Sequence, residues 1–108
     1  MSDRITDADR KRFELFQDVG CVCCWAHGIF RTPVEAHHLL AGGRRRGHAF
    51  TIPLCTWHHR AQTWSWLPMA QAEAIWGPSL ANGSKPFHER YGSDDSLLAK
   101  TNEMLAKL

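Results

Sequence analysis

Apolar positions along this chain fall into short stripes whose period changes with position. From 7 to 19, Leu15 and Val19 are spaced i to i+4, and Phe13 and Phe16 i to i+3, which puts them on one face of a helix. Thr6 or Asp7 can cap its start, where acids also suit the positive end of the helix dipole. Gly20 is placed to stop it. Strand-forming residues fill 29–32 and 34–40, with Pro33 as a break or an edge position. A third such run, AFTIPL, occupies 49–54. Between the last two lies AGGRRRG, 41–47, predicted to be a flexible loop because three glycines and no apolar residue beyond alanine hold no element. The pattern predicts a hairpin with a long basic tip, and a helix beginning in CTWHHRAQ, 55–62. Further helices are expected over 68–76, with Pro68 in the first turn and Gly77-Pro78 at the end, and over 85–91, stopped by Gly92. A last one runs from a Ser93-Asp94-Asp95 cap to about Lys107, with Leu97, Leu98, Met104, Leu105 and Leu108 available for packing.

At 108 residues the chain is long enough for one small domain. Cores of this size often lean on a metal or on disulfides. No run reaches the ~20 apolar residues of a membrane span. The N-terminus, MSDRITDADRKR, resembles neither a signal peptide nor an acyl anchor, so a cytoplasmic monomer is the default expectation. Net charge is +2, but residues 31–60 carry +4 while the flanking thirds carry -1 each. The excess sits on Arg44, Arg45, Arg46 and Arg60, around a stretch holding five of the seven histidines. A basic surface beside metal-ligating side chains points to a phosphate-bearing partner. The five tryptophans could stack on bases, but a small domain more readily fills its core with them. His88, beside Phe87 and Tyr91, reads as a surface or capping histidine.

Three of the four cysteines, Cys21, Cys23 and Cys24, fall within four residues. That is poor geometry for two disulfides and good geometry for metal. Cys21-x-x-Cys24 has the spacing of a zinc knuckle, with Cys23 a bystander inside the turn. Cys55-x-x-His58 is a second such pair. Cys21, Cys24, Cys55 and His58 together can complete one tetrahedral zinc site. Adjacent side chains on a helix diverge by ~100°, so His59 cannot easily serve the same ion as His58. It would face the hairpin, where His37 and His38 lie. The histidines thus divide into a structural and a catalytic set.

A hairpin and a helix bearing these residues resemble the ββα-metal (His-Me finger), or HNH, nuclease motif. The likeness lies in Cys21-x-x-Cys24, His37-His38 and Leu54-Cys55-x-x-His58-His59. More narrowly, the run from GC..C through HH...GGRRRGH..T..LC.WHHR to GPSLA.GSK.FH..YG is similar to the phage recombination-enhancement (Ref) nucleases, an HNH branch. The resemblance implies an α+β fold: a helix over 7–19, a zinc knuckle and ββα core over 20–64, and a helical part over 65–108. It implies a DNA endonuclease that depends on the RecA filament, with structural Zn²⁺ and a catalytic Mg²⁺ or Mn²⁺ (or a second Zn²⁺). His37 and His59 would hold the catalytic ion and His38 would be the general base, although the residues alone do not order His37 and His38. Counting back from Cys55, the middle Asn of many HNH enzymes falls on Phe50. His48 is favoured over Thr51 as its substitute, and could equally be a third metal ligand. Arg44, Arg45, Arg46 and Arg60 would contact phosphates. The reading from another class is a non-enzymatic zinc module that binds DNA or protein, for which the cysteines and His58 suffice.

Overall fold

A computed structural model describes residues 4–108. Helix α1, Asp7–Val19, is capped by Thr6 in a reciprocal capping box with Asp9, so two of its otherwise unpaired N–H groups are satisfied locally. Gly20 ends α1 with its N–H donating to the Phe16 carbonyl. Its φ is +77°, and a β-carbon there would lie 2.5 Å from the backbone nitrogen of Arg31. The chain then passes through a 3-10 turn, Cys24–His27, into strand β1, Glu35–His38. Two-residue strands β2, Leu40–Ala41, and β3, Arg44–Arg45, pair with each other, and β4, Thr51–Leu54, returns antiparallel to β1. The register sets Glu35 opposite Leu54, Ala36 opposite Pro53, His37 opposite Ile52 and His38 opposite Thr51. Helix α2, Thr56–Arg60, follows at once, then α3, Met69–Trp76, α4, Ser84–Tyr91, and α5, Asp94–Ala106.

β4 is buried along its whole length. Ile52 and Leu54 pack with Val22, Leu39, Phe87 and Leu97 in a core that also contains Cys21, Cys23 and Cys24. The knuckle is stitched to this strand by the Val22 N–H on the Pro53 carbonyl, 3.0 Å. Arg12 of α1 reaches across to the other end of β4. It donates to Thr51 Oγ1 (3.0 Å), to the Thr51 carbonyl (2.6 Å) and to Asn102 of α5 (2.8 Å). One guanidinium thereby holds three elements together. The architecture is a small α+β fold with two short antiparallel sheets. Among the described residues, no helix is long and apolar enough to cross a membrane.

Several expectations are corrected. The strand-like run 29–32 is irregular because Arg31 takes a left-handed φ of 61° where it crosses Gly20. The supposed flexible loop is the β2–β3 hairpin: Gly42 and Gly43 have φ of 59° and 80°, as the two central residues of a type I′ turn require. Pro68 stands at the N-cap of α3 rather than in its first turn. Trp57 is buried, but Trp64 and Trp66 are 58% and 73% exposed, so the tryptophans do not all fill the core.

The two kinds of glycine separate in a stability experiment. Gly20→Ala puts a methyl against backbone and is expected to cost ~3 kcal/mol. Gly42→Ala meets nothing within 4 Å and carries only the left-handed penalty of ~1 kcal/mol. Urea unfolding of the two variants checks the order. Equal losses would mean that the close passage of 20 and 31 is not what constrains Gly20.

Candidate metal centre and histidine pairs

Three thiols and one imidazole converge at the junction of the knuckle and α2. Cys21 and Cys24 come from the turn after α1, and Cys55 is the N-cap of α2. His58 lies one turn into that helix and is fully buried. The ligand atoms of Cys21, Cys24, Cys55 and His58 all lie within 4.8 Å of one another. A tetrahedral zinc, with Zn–S of about 2.3 Å and Zn–N of about 2.0 Å, needs sulfurs about 3.8 Å apart and sulfur–nitrogen separations of about 3.6 Å. Cys24 Sγ lies 3.8 Å from Cys55 Sγ, and His58 Nδ1 lies 3.5, 3.6 and 3.2 Å from the sulfurs of Cys21, Cys24 and Cys55. The four residues fit a metal of that size and preference.

Proton placement agrees. His58 Nε2 lies 2.7 Å from the Trp76 carbonyl, which can only accept. Nε2 therefore carries the proton, and the Nδ1 lone pair faces the sulfurs. A backbone carbonyl on the outer nitrogen is the usual way a ligating imidazole is fixed in tautomer and orientation. The Tyr91 hydroxyl donates to the same carbonyl at 2.7 Å and lies 2.7 Å from His27 Nε2. Hydrogen bonds from Cys21 and Cys24 pull the Cys55 thiol far below its ordinary range. Burial pushes Cys21 up, and its hydrogen bonding to Cys21 pushes Cys24 up. Cys23 is fully buried and stands outside the four.

Four of the other histidines form two pairs. His59, next to His58, turns away from the cysteines toward β1, and its ring meets that of His37 at 5.0 Å between centroids. Glu35 accepts from His59 Nδ1 at 2.9 Å and is gripped by Arg60 through Nε, at 2.9 Å, and through Nη2. Burial, with His59 alongside, holds His37 down at about 4, so near neutral pH it is the uncharged imidazole a cation requires. Strand alternation sends the next residue the other way. His38 Nε2 lies 2.9 Å from His48 Nδ1, and Phe13 of α1 presents its ring to both. The Thr51 hydroxyl donates to the His48 carbonyl at 2.8 Å.

The structure therefore gathers Cys21, Cys24, Cys55 and His58 into one cluster, places His37 on His59, and places His38 on His48. Arg44 and Arg45 are exposed on β3. Arg46 is held by Asp95 at 2.9 Å and lies over the Phe50 ring at 4.7 Å. Arg60 is engaged by Glu35. His88 Nδ1 donates to the Gly92 carbonyl at 3.0 Å, past the end of α4. Two contributors escaped the sequence reading. Glu35 had a signal, since it lies two residues before His37 and so on the same strand face. The Trp76 carbonyl had none, because a backbone acceptor leaves no mark on residue type.

A family model described as recombination enhancement, RecA-dependent nuclease, matches residues 5–106. The chain belongs to that family.

Cobalt(II) makes the cluster visible. The parent chain is expected to bind it with an intense sulfur-to-cobalt charge-transfer absorption, and Cys55→Ala to lose most of that intensity. Chelation is expected to unfold the parent, because the binding energy of such a site is folding energy. An unchanged spectrum in Cys55→Ala would remove this residue from the ligand set.

Proposed function

We propose that this member of the RecA-dependent nuclease family is an HNH-type, metal-dependent DNA endonuclease with a ββα-metal centre and a separate structural zinc. The observation that carries the reading is the facing pair His37 and His59. One comes from the first strand of the β1–β4 hairpin and the other from the helix that follows the second, while His38, the last residue of β1, pairs with His48 from the other face of the strand. Cys21, Cys24, Cys55 and His58 would hold the zinc, and His37 and His59 the catalytic ion. That ion, when bound, supplies charge neutralisation at the scissile phosphate and at the leaving 3′ oxygen.

The chain's own residues supply the rest. Glu35 accepts from His59 Nδ1, which leaves the Nε2 lone pair of His59 for a cation and holds the ring in place. Arg60 fixes Glu35 in turn. If His38 Nε2 is the donor toward His48 Nδ1, the lone pair of His38 rests on Nδ1, and an imidazole so arranged takes a proton from an attacking water near neutral pH. His48 then positions the base, the task for which no Asn is present at position 50. Exposed arginines on β3 add phosphate contacts that hold DNA without reading its sequence. The family's RecA dependence supports a substrate engaged through a RecA filament.

Cleavage of RecA-coated DNA in Mg²⁺ or Mn²⁺ tests the assignment. Zinc-loaded His38→Ala is expected to cut ~10²–10⁴-fold more slowly than the parent, His59→Ala to fall to background, and His48→Ala to lose less than His38→Ala. Parental rates in folded His38→Ala and His59→Ala would refute it. A folded, zinc-loaded parent that binds DNA and never cuts it would favour the non-enzymatic zinc module.

A further inference from the structure

We infer that the β2–β3 hairpin is a rigid arm that straddles a groove of double-stranded DNA, Arg44 meeting one strand and Arg45 the other. The inference rests on the nuclease reading for DNA at this face. It adds the substrate class, duplex rather than single strand.

The arm projects. Every residue from Leu40 to Arg45 is exposed, and a β-carbon added at Gly42 or Gly43 would meet nothing within 4 Å. It is also fixed at its base. Leu39 is fully buried. The Leu39 N–H donates to the Phe50 carbonyl at 3.0 Å, and the Arg46 N–H donates to the Leu39 carbonyl at 3.0 Å. The Arg46 side chain is tied to Asp95 of α5. The type I′ turn matches the natural twist of the strands, which pair through Ala41 and Arg44 right up to it. The arm begins at Leu40, two residues after His38, and so leaves directly from the strand that carries His37 and His38.

Its two arginines start from opposite faces, which suits two phosphate tracks better than one. Leu40 pairs with Arg45 and Ala41 with Arg44, and successive side chains of a strand point to opposite faces. Arg44 and Arg45 therefore leave the arm in opposite directions. A single strand offers one line of phosphates and meets one face. A duplex groove has two charged walls, and an arm inserted tip first turns one face to each. The two glycines at the tip carry no side chain to obstruct entry. Two exposed apolar residues on the arm, Leu40 and Ala41, gain contact with sugars in a groove and none in solvent.

The test is binding, read by fluorescence anisotropy of a short labelled duplex and of its isolated strand, with the zinc-loaded chain and no Mg²⁺ or Mn²⁺. Arg44→Ala and Arg45→Ala are each expected to weaken duplex binding several-fold and to lower the slope of log affinity against log salt by about 1. Single-strand binding should change less than twofold. Neutralising the phosphates of one strand of the duplex with methylphosphonates should silence one substitution and leave the other at full effect. The inference is overturned if both substitutions weaken single-strand binding as much as duplex binding, if both are silenced by the same strand, or if neither changes duplex binding. Both variants alter exposed side chains and should fold. A chain that binds as expected and never cuts leaves the arm standing and removes the nuclease reading. One that cuts while both variants bind duplex normally removes the arm alone.

Discussion

Three sulfurs and an imidazole held within 4.8 Å of one another are the constraint on which the rest of this structure depends. A cation bound among them would neutralise the thiolates that ligate it, which is what makes their burial favourable. The same four groups join segments that also meet through the apolar core and through the Val22 N–H on the Pro53 carbonyl. Cys21 and Cys24 bring the turn after α1, and Cys55 and His58 bring the start of α2. The outer nitrogen of His58 brings the end of α3 through the Trp76 carbonyl. Tyr91, donating to that carbonyl, brings α4. In a chain of 108 residues, where the apolar core alone is small, such a node does much of the work of tertiary organisation.

The node also aims the second site. α2 has five residues and is also held by buried Trp57, whose Nε1 donates to the Gly77 carbonyl at 2.9 Å. Once His58 is turned toward the cysteines, the helical step of ~100° turns His59 away from them, toward β1 and His37. The β1–β4 register sets the other half. His37 stands opposite Ile52 and faces α2, and His38 faces α1 and His48. Glu35, on the His37 face of the same strand, connects to both His59 and Arg60. One short helix thus carries a ligand of the candidate metal cluster and, on the next residue, a member of the histidine pair proposed as the reaction site.

Much of this was legible in the residues where the causes were local. The Thr6 cap of α1, the Ser93 cap of α5 and the paired spacing of Cys21, Cys24, Cys55 and His58 each reflect interactions within a few positions. What was not legible depended on remote partners. Gly42-Gly43 reads as flexible punctuation until Leu40 and Arg45 are seen to pair across it. The run 29–32 has strand composition but must cross Gly20, and Arg31 gives up extended geometry to do so. Trp64 and Trp66 stay exposed, stacked on each other with ring centroids 5.7 Å apart. Asp95, which holds Arg46, lies forty-nine positions away.

In the proposed function, consecutive histidines on α2 serve two different metal ions. Native mass spectrometry of the chain loaded with Zn²⁺ and Mn²⁺ tests it directly, by counting bound ions in the parent, His58→Ala and His59→Ala. The account predicts two ions in the parent, loss of the tightly held zinc in His58→Ala, and loss of only the weaker ion in His59→Ala. Loss of the same ion in both variants would contradict it.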